Sequence, residues 1–378
     1  MKVLHIADTH LGFSAYRKLT ENGMNQRESD VYNAFTQCID YAVESKPDLI
    51  LHSGDLFDSV RPNNRAITVA IQQILRLSQE KIPFVVVSGN HETPKLKETG
   101  NILTIFEHLD HVYPICHNGY QTIPFEIDNK KVIIHAIPQC QTKKEFKQNL
   151  KKIKIDDSSD VNIFMAHGAV TGIKEFKMNE FNELFIPTHI LNQEFDYVAL
   201  GHYHKYTRLQ ENAFYSGSTE NLMFSDAGDK KGFIEVELGS NIKHNFIEVN
   251  ARTMIDAPPI NCSNLTVEQV VKNIEEAIRK IEPENKIFRI RLENIPSHVY
   301  RGIDFNQIRK VSKGAVHFEI KSDVIREGEL RINENYRIES IASEFEKYLG
   351  KQEISDKDIL LKLGLEYIQK VESKDEGK

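Results

Sequence analysis

Val3-Leu4-His5-Ile6-Ala7-Asp8-Thr9-His10 is an apolar run that ends on two metal-binding residue types, Asp8 and His10. Two positions apart on an extended chain, their side chains share one side. The same grammar returns along the chain. Leu49–Leu51 leads to Gly54-Asp55, and Phe84–Val87 to Gly89-Asn90-His91. Ile163–Met165 leads to His167-Gly168, and Tyr197–Leu200 to Gly201-His202-Tyr203-His204. Short apolar runs of this kind read as buried strands. Residues at the carboxyl ends of parallel strands meet in one crevice whatever their sequence separation. The pattern therefore predicts one pocket gathering Asp8, His10, Asp55, Asn90, His167, His202 and His204.

Helical patterns lie between the runs. Val31, Phe35, Ile39, Ala42 and Val43 mark the buried stripe of a helix from about Ser29 to Ser45, stopped by Pro47. Ile67, Ile71, Ile74 and Leu75 do the same for a helix from about Asn64 to Glu80. Alternation of strand and helix predicts a layered α/β fold in which helices flank central β-sheets. Val132–Ile137, Gly232–Leu238 and Lys243–Val249 read as antiparallel additions.

The motifs stop near Asn250, which sets residues 1–249 apart as the core. Residues 250–324 read as a small α+β cap domain. Within it Thr266 and Gln269 form a capping box, Asp304–Lys313 a second helix, and Lys286–Leu292 and Ala315–Ile320 strands. A polar linker at 325–336 precedes two amphipathic helices within 337–373. Helices this short bury little surface alone, so this helix-loop-helix either packs on the body or docks on a partner.

The chain has 378 residues and a formal net charge of -7, so any polyanion would be held by local basic groups. Its densest basic run, Lys143–Lys154, reads as the solvated face of a helix with Phe146 and Leu150 turned inward. No apolar stretch is long enough to span a membrane. Cys38, Cys116, Cys140 and Cys262 are scattered, as expected for free thiols in a reducing cytoplasm.

Two divalent cations about 4 Å apart can hold a phosphate between them and activate water. A carboxylate able to touch both is required, and Asp55 is the natural bridge. Asp8, His10 and His204 are assigned to the first position, and Asn90, His167 and His202 to the second. Oxygen and imidazole donors without thiolate suit Mn²⁺, and also Fe²⁺ or Zn²⁺. His91 follows a ligand and is expected to face substrate, stabilising the phosphate and protonating the leaving oxygen. Asp58 or Glu92 would orient it. His5, His52 and His135 sit in apolar runs and read as core histidines.

The ordered set of motifs resembles the calcineurin-like metallophosphoesterase superfamily. Within it, His5–Gly12, His52–Asp58 and Tyr215-Ser216-Gly217-Ser218-Thr219-Glu220 are similar to the Mre-type, SbcD-like DNA double-strand-break repair nucleases, with the compact length of archaeal members. The resemblance implies a manganese-dependent nuclease: an exonuclease on duplex ends and an endonuclease on single strands or hairpins. It implies a homodimer, and the tail helices 337–373 gripping an SMC-like coiled-coil ABC ATPase. It also implies a DNA-binding role for the cap and a cytoplasmic, nucleoid-associated prokaryotic protein. Ile67 and Leu103 are candidate dimer anchors. Arg17, Lys18, Arg27, Arg61 and Lys95 are candidate phosphate contacts. Some members carry histidine where this chain has Asp58, whereas the phosphoprotein-phosphatase branch carries aspartate. Two rivals stay open: a phosphatase or cyclic-nucleotide phosphodiesterase of the same superfamily, and a scaffold that mainly tethers DNA ends.

Overall fold

Both faces of the motif strands are apolar because each strand is packed on both sides. Val3 lies in one core cluster while Leu4 and Ile6 lie in another. The computed structural model describes residues 1–117, 119–155, 157–172, 183–192, 194–239, 241–325, 341–350 and 357–375. The first half runs β1 (Lys2–Ile6), α1 (Gln26–Ser45), β2 (Leu49–His52), α2 (Asn64–Gln79), β3 (Phe84–Val87), β4 (Val112–Ile115), β5 (Gln121–Ile127), β6 (Lys130–Ile137), α3 (Lys143–Leu150) and β7 (Val161–His167). Then follow β8 (Ala169–Val170), β9 (Phe185–Ile186), α4 (Thr188–Leu191), β10 (Tyr197–Gly201), β11 (Thr207–Arg208), β12 (Ala213–Tyr215), β13 (Gly232–Glu237) and β14 (Lys243–Glu248).

Twelve of these strands build two six-stranded sheets, ordered β14-β13-β1-β2-β3-β4 and β11-β12-β10-β7-β6-β5, and β8 pairs with β9 apart from them. Residues of both sheets share one core, in which Val3, Leu51 and Val85 meet Ile134, Met165 and Ala199. The outer face of the first sheet packs on α1 and α2 through Phe35, Ile39 and Ile74. The outer face of the second packs on Phe146, Leu150 and Ile190. The layers therefore run helix, sheet, sheet, helix. β1, β2 and β3 are parallel neighbours, as are β7 and β10, so the carboxyl ends that carry the motifs lie side by side within each sheet.

Three sequence expectations change. α1 begins at Gln26 rather than Ser29, because the Asn25 side chain accepts the N–H groups of Arg27 and Glu28 and caps the helix earlier. β6 is antiparallel to β5 but parallel to β7, so it lies within the second sheet and is no antiparallel addition. Leu103 is fully buried in the chain's own core, so it is not exposed as a dimer anchor, whereas Ile67 is half-buried.

Beyond the two sheets come β15 (Met254–Asp256), β16 (Ile260–Asn261), α5 (Val267–Ile281), β17 (Ile287–Pro296), α6 (Ser297–Gly302), α7 (Phe305–Val311) and β18 (His317–Ile325). The strands form a separate four-stranded sheet. Thr266 and Gln269 make both capping-box bonds at the start of α5. Tyr16 stacks on His317 at 3.7 Å between ring centroids, and Lys18 donates to the Gly314 carbonyl. Met254, Ile287 and Val316 close over Tyr16 and Phe224.

Contacts divide the chain into Met1–Ile295 with Val299–Asp323, and Pro296–His298 with Val324–Lys378. The second unit carries α8 (Ile341–Gly350) and α9 (Lys357–Asp375). A Cβ at Gly364 would strike the Phe345 ring, so glycine is what lets these two helices approach. Most of the 325–336 linker and the stretch 337–340 lie outside the described residues.

Candidate metal centre

The loops after β1 and β2 are laced together by their backbones. Asp8 N–H donates to Gly54 O at 3.0 Å, His10 N–H to Asp55 O at 3.0 Å, and Leu11 N–H to Leu56 O at 2.8 Å. Asp8, His10 and Asp55 all have positive φ, at 52°, 46° and 53°. Non-glycine residues held in this region mark a chain bent by its surroundings. The bending curls the strand ends over the crevice and brings three successive ligand types into it.

Asp55 is the centre of the arrangement. Its Oδ2 lies 3.2 Å from His167 Nε2 and 3.8 Å from His10 Nε2, and its Oδ1 accepts the His91 N–H at 2.9 Å. Asp8 accepts the His202 N–H on both carboxylate oxygens, at 3.0 and 3.1 Å. Asn90 Oδ1 lies 2.9 Å from His167 Nε2. Three overlapping groups have ligand atoms within 4.8 Å of one another: Asp8, His10 and His204; Asp8, Asp55 and His167; and His10, Asp55 and His91. Asn90 joins through its side chain, whereas His202 joins through its backbone N–H, with its ring centroid 5.3 Å from that of His167.

These residues fit cations better than they fit one another. His10 Nε2 is buried with no hydrogen-bond partner, although a polar nitrogen is rarely left so. Burial would raise the Asp55 carboxyl, but the positive fields of His167, His10 and His91 hold it well below the usual range. Burial would lower His167, yet Asp55, Asp8 and the Ser53 carbonyl raise it to about 10. A proton there does the work that a bound cation would do, and it must leave before His167 can ligate.

His91 is placed differently. Its side chain is 33% exposed, against 1% for His10, so it alone of the two looks outward. Its Nδ1 donates to the Asp58 carbonyl at 2.9 Å. The Asp58 carboxylate lies 3.2 Å from His10 Nδ1 and 3.7 Å from His91 Nδ1. Asp58 thus meets His91 chiefly through its main chain. Glu92 points inward, accepts the Gly89 N–H at 2.9 Å and is fully buried, so it supports the loop from beneath.

The core histidines find neighbours in the protein. His5 meets Tyr197 Oη and Ser53 Oγ, His52 meets Thr9 Oγ1, and His135 meets Tyr120 Oη and Asn162 Oδ1. Burial lowers both His5 and His52 to about 3, which keeps them neutral. Of the candidate phosphate contacts, Arg27 is fully buried and pairs with Asp30 and Glu220, so it cannot reach a ligand. Lys18 is spent on Gly314. Arg61 and Lys95 line a shallow hollow beside the His91 loop.

Sequence reasoning overlooked the supporting carboxylates Glu183 and Asp226, which lie against His202 and His204. Neither stands at a strand end after an apolar run, so no pattern marked them. It also gave no weight to Gly89. A Cβ there would collide with the Asp55 carboxylate and backbone nitrogen. Gly89→Ala is expected to weaken divalent-cation binding by about 10–100-fold, the range for disturbed ligand support, which calorimetric titration would read.

Residues 1–206 match the calcineurin-like phosphoesterase family. The chain is 30% identical to the DNA double-strand break repair protein Mre11 of Methanocaldococcus jannaschii, over 75% of this chain and 73% of that protein. It is 26% identical to the protein of that name from Methanococcus maripaludis, over 94% and 92%. It is 28% identical to a component of the nuclease SbcCD of Staphylococcus epidermidis, over 79% and 80%.

Proposed function

Because the chain belongs to the calcineurin-like phosphoesterase family and to its Mre11 branch, we propose that it is a manganese-dependent DNA nuclease that hydrolyses phosphodiester bonds at double-strand breaks. The observation that carries this reading is the convergence of Asp8, His10, Asp55, His167 and His204, whose ligand atoms fall in overlapping groups within 4.8 Å of one another, with Asp55 reaching both His10 and His167. When bound, a pair of divalent cations neutralises a phosphate and generates a nucleophile from water at neutral pH. We assign Asp8, His10 and His204 to one cation, Asn90, His167 and His202 to the other, and Asp55 to both. The mixed oxygen and nitrogen donors, with no thiolate, favour Mn²⁺.

The remaining work falls to His91. A carbonyl only accepts, so the His91 nitrogen facing Asp58 O carries a proton. That leaves Nε2 to meet the substrate. When both nitrogens are protonated, Nε2 can hold the phosphate's charge and pass its proton to the leaving oxygen. The Asp58 carboxylate, between His10 and His91, complements that charge. His91→Ala is expected to keep Mn²⁺ and DNA affinity within about threefold and to lower cleavage by about 10²–10³-fold. Digestion of labelled duplex and hairpin DNA with Mn²⁺ or chelator tests the reading. DNA binding without any cleavage by the intact chain would favour an end-tethering scaffold. Cleavage of only small phosphoesters would favour a phosphatase.

Partners follow the same reading. Exposed Tyr348, Ile359, Leu363 and Tyr367 on α8 and α9 suit docking to a coiled-coil ATPase of the SMC type. Exposed Ile71 and Leu75 on α2 suit a homodimer contact in place of Leu103. The sheet of β15–β18 serves as the cap that guides DNA to the crevice. Among the described residues no helix is long and apolar enough to cross a membrane, in keeping with work on chromosomal DNA in the cytoplasm.

A further inference from the structure

The two histidines of the loop after β10 face carboxylates on opposite ring nitrogens. His202 Nε2 lies 3.2 Å from Glu183 Oε1. His204 Nδ1 lies 3.5 Å from Asp226 Oδ2. Both carboxylates are little exposed, at 11% and 6%. We propose that Glu183 is a positioning residue that accepts the Nε2–H of His202 and so makes Nδ1 the atom His202 offers to a divalent cation. The proposal rests on the reading of the crevice as a cation pair and adds to it the device that directs one ligand.

A carboxylate only accepts, so the histidine nitrogen against it carries the proton and cannot ligate. The lone pair is then on the other nitrogen. For His202 that is Nδ1. For His204, whose Nδ1 faces Asp226 at 3.5 Å, a proton on Nδ1 would leave Nε2. Two residues from one short loop thus present different atoms, which suits ligands destined for neighbouring cations. Metal-bound histidines are commonly fixed in this way by an acceptor on the far nitrogen, and loss of the acceptor lowers metal affinity about 10–100-fold.

The backbone explains how Glu183 comes to be there. After His167 the chain forms β8, which pairs in parallel with β9, and Ala169 N–H donates to Leu184 O at 2.8 Å. This small ladder returns Glu183, one residue before Leu184, to His202. The His202 backbone is meanwhile fixed at φ 110° with its N–H on the Asp8 carboxylate. The main chain of His202 is therefore set by the first motif and its ring by the segment that follows the fourth. Asp226 is anchored in its own way, accepting the N–H groups of Leu222 and Met223 and lying 3.9 Å from buried Lys231.

Glu183→Ala and Glu183→Gln in the full chain separate orientation from charge, because the glutamine amide oxygen can accept the same N–H. Mn²⁺ titration calorimetry is the readout, with the melting temperature of the metal-free protein as the control for folding. Glu183→Ala is expected to weaken one of two Mn²⁺ sites by about 10–100-fold and leave the other within about threefold. Glu183→Gln is expected to stay near the unaltered chain at both. Unchanged affinities in Glu183→Ala would overturn the proposal. So would a glutamine variant as weak as the alanine one, or loss of both sites with a lowered melting temperature. An unaltered chain that binds no pair of Mn²⁺ ions would overturn the crevice reading first and this proposal with it.

Discussion

Asp55→Asn is expected to lower Mn²⁺-dependent DNA cleavage by about 10³-fold or more, a loss typical of removing a main electrostatic element of an active site. The substitution is nearly isosteric. Its amide oxygen can still accept the His91 N–H that Oδ1 now takes at 2.9 Å. What it removes is the charge and the second oxygen, which lies 3.2 Å from His167 Nε2 and 3.8 Å from His10 Nε2. Folding should therefore survive while the cation pair does not. His167 owes its raised pKa first among its partners to Asp55, so the variant's His167 should also shed its proton more readily. Titration calorimetry would show fewer or weaker Mn²⁺ sites, and circular dichroism an unchanged fold. Cleavage within tenfold of the unaltered chain would remove Asp55 from the centre of the site.

The second large effect concerns stability. Arg27 is fully buried, 2.6 Å from Asp30 and 3.4 Å from Glu220, and it donates to the Asn221 carbonyl. Asp30 is shared with Arg252, at 2.5 Å, and Arg252 N–H donates to Glu220. Arg252 stands two residues before β15 and also donates to the Asn285 carbonyl. The network therefore ties α1 to the Tyr215–Glu220 segment and to the entrance of the smaller sheet. Arg27→Met fills similar space but strands buried carboxylates with one fewer cation. Removing one partner of a buried pair typically destabilises by about 3–5 kcal/mol. Urea unfolding should show that loss, and limited proteolysis should cut near residues 250–253 sooner. A change under about 1 kcal/mol would mean that the network relaxes around the gap.

The gathering of the crevice residues was legible because their chemistry and their position coincide. Asp8, Asp55, Asn90, His167 and the His202–His204 pair each follow an apolar run, and parallel pairing brings the run ends together. The layer order was legible for a similar reason, since strands without polar alternation must be covered on both faces. Arg27 was not legible. It precedes an apolar helical stripe and reads as a solvated charge, and its partners Glu220 and Asn221 lie far along the chain. Leu103 was misread for the converse reason: an apolar residue looks alike in sequence whether it faces a partner or its own core. Glu183 carries no mark at all, because its role comes from a two-strand ladder that places it against His202. Asp58 shows the limit of pairing by type. The Asp58 or Glu92 carboxylate is expected from sequence to orient His91, and the nearer acceptor is the main-chain carbonyl of Asp58.

The most direct measurement is an anomalous difference map from crystals of the full chain soaked in MnCl₂. Two peaks are predicted, roughly 3.5–4 Å apart on either side of the Asp55 carboxylate. Asp8, His10 and His204 should surround one, and Asn90, His167 and His202 the other. Peaks that avoid Asp55, or a single ion elsewhere in a protein that still cuts DNA, would contradict the account.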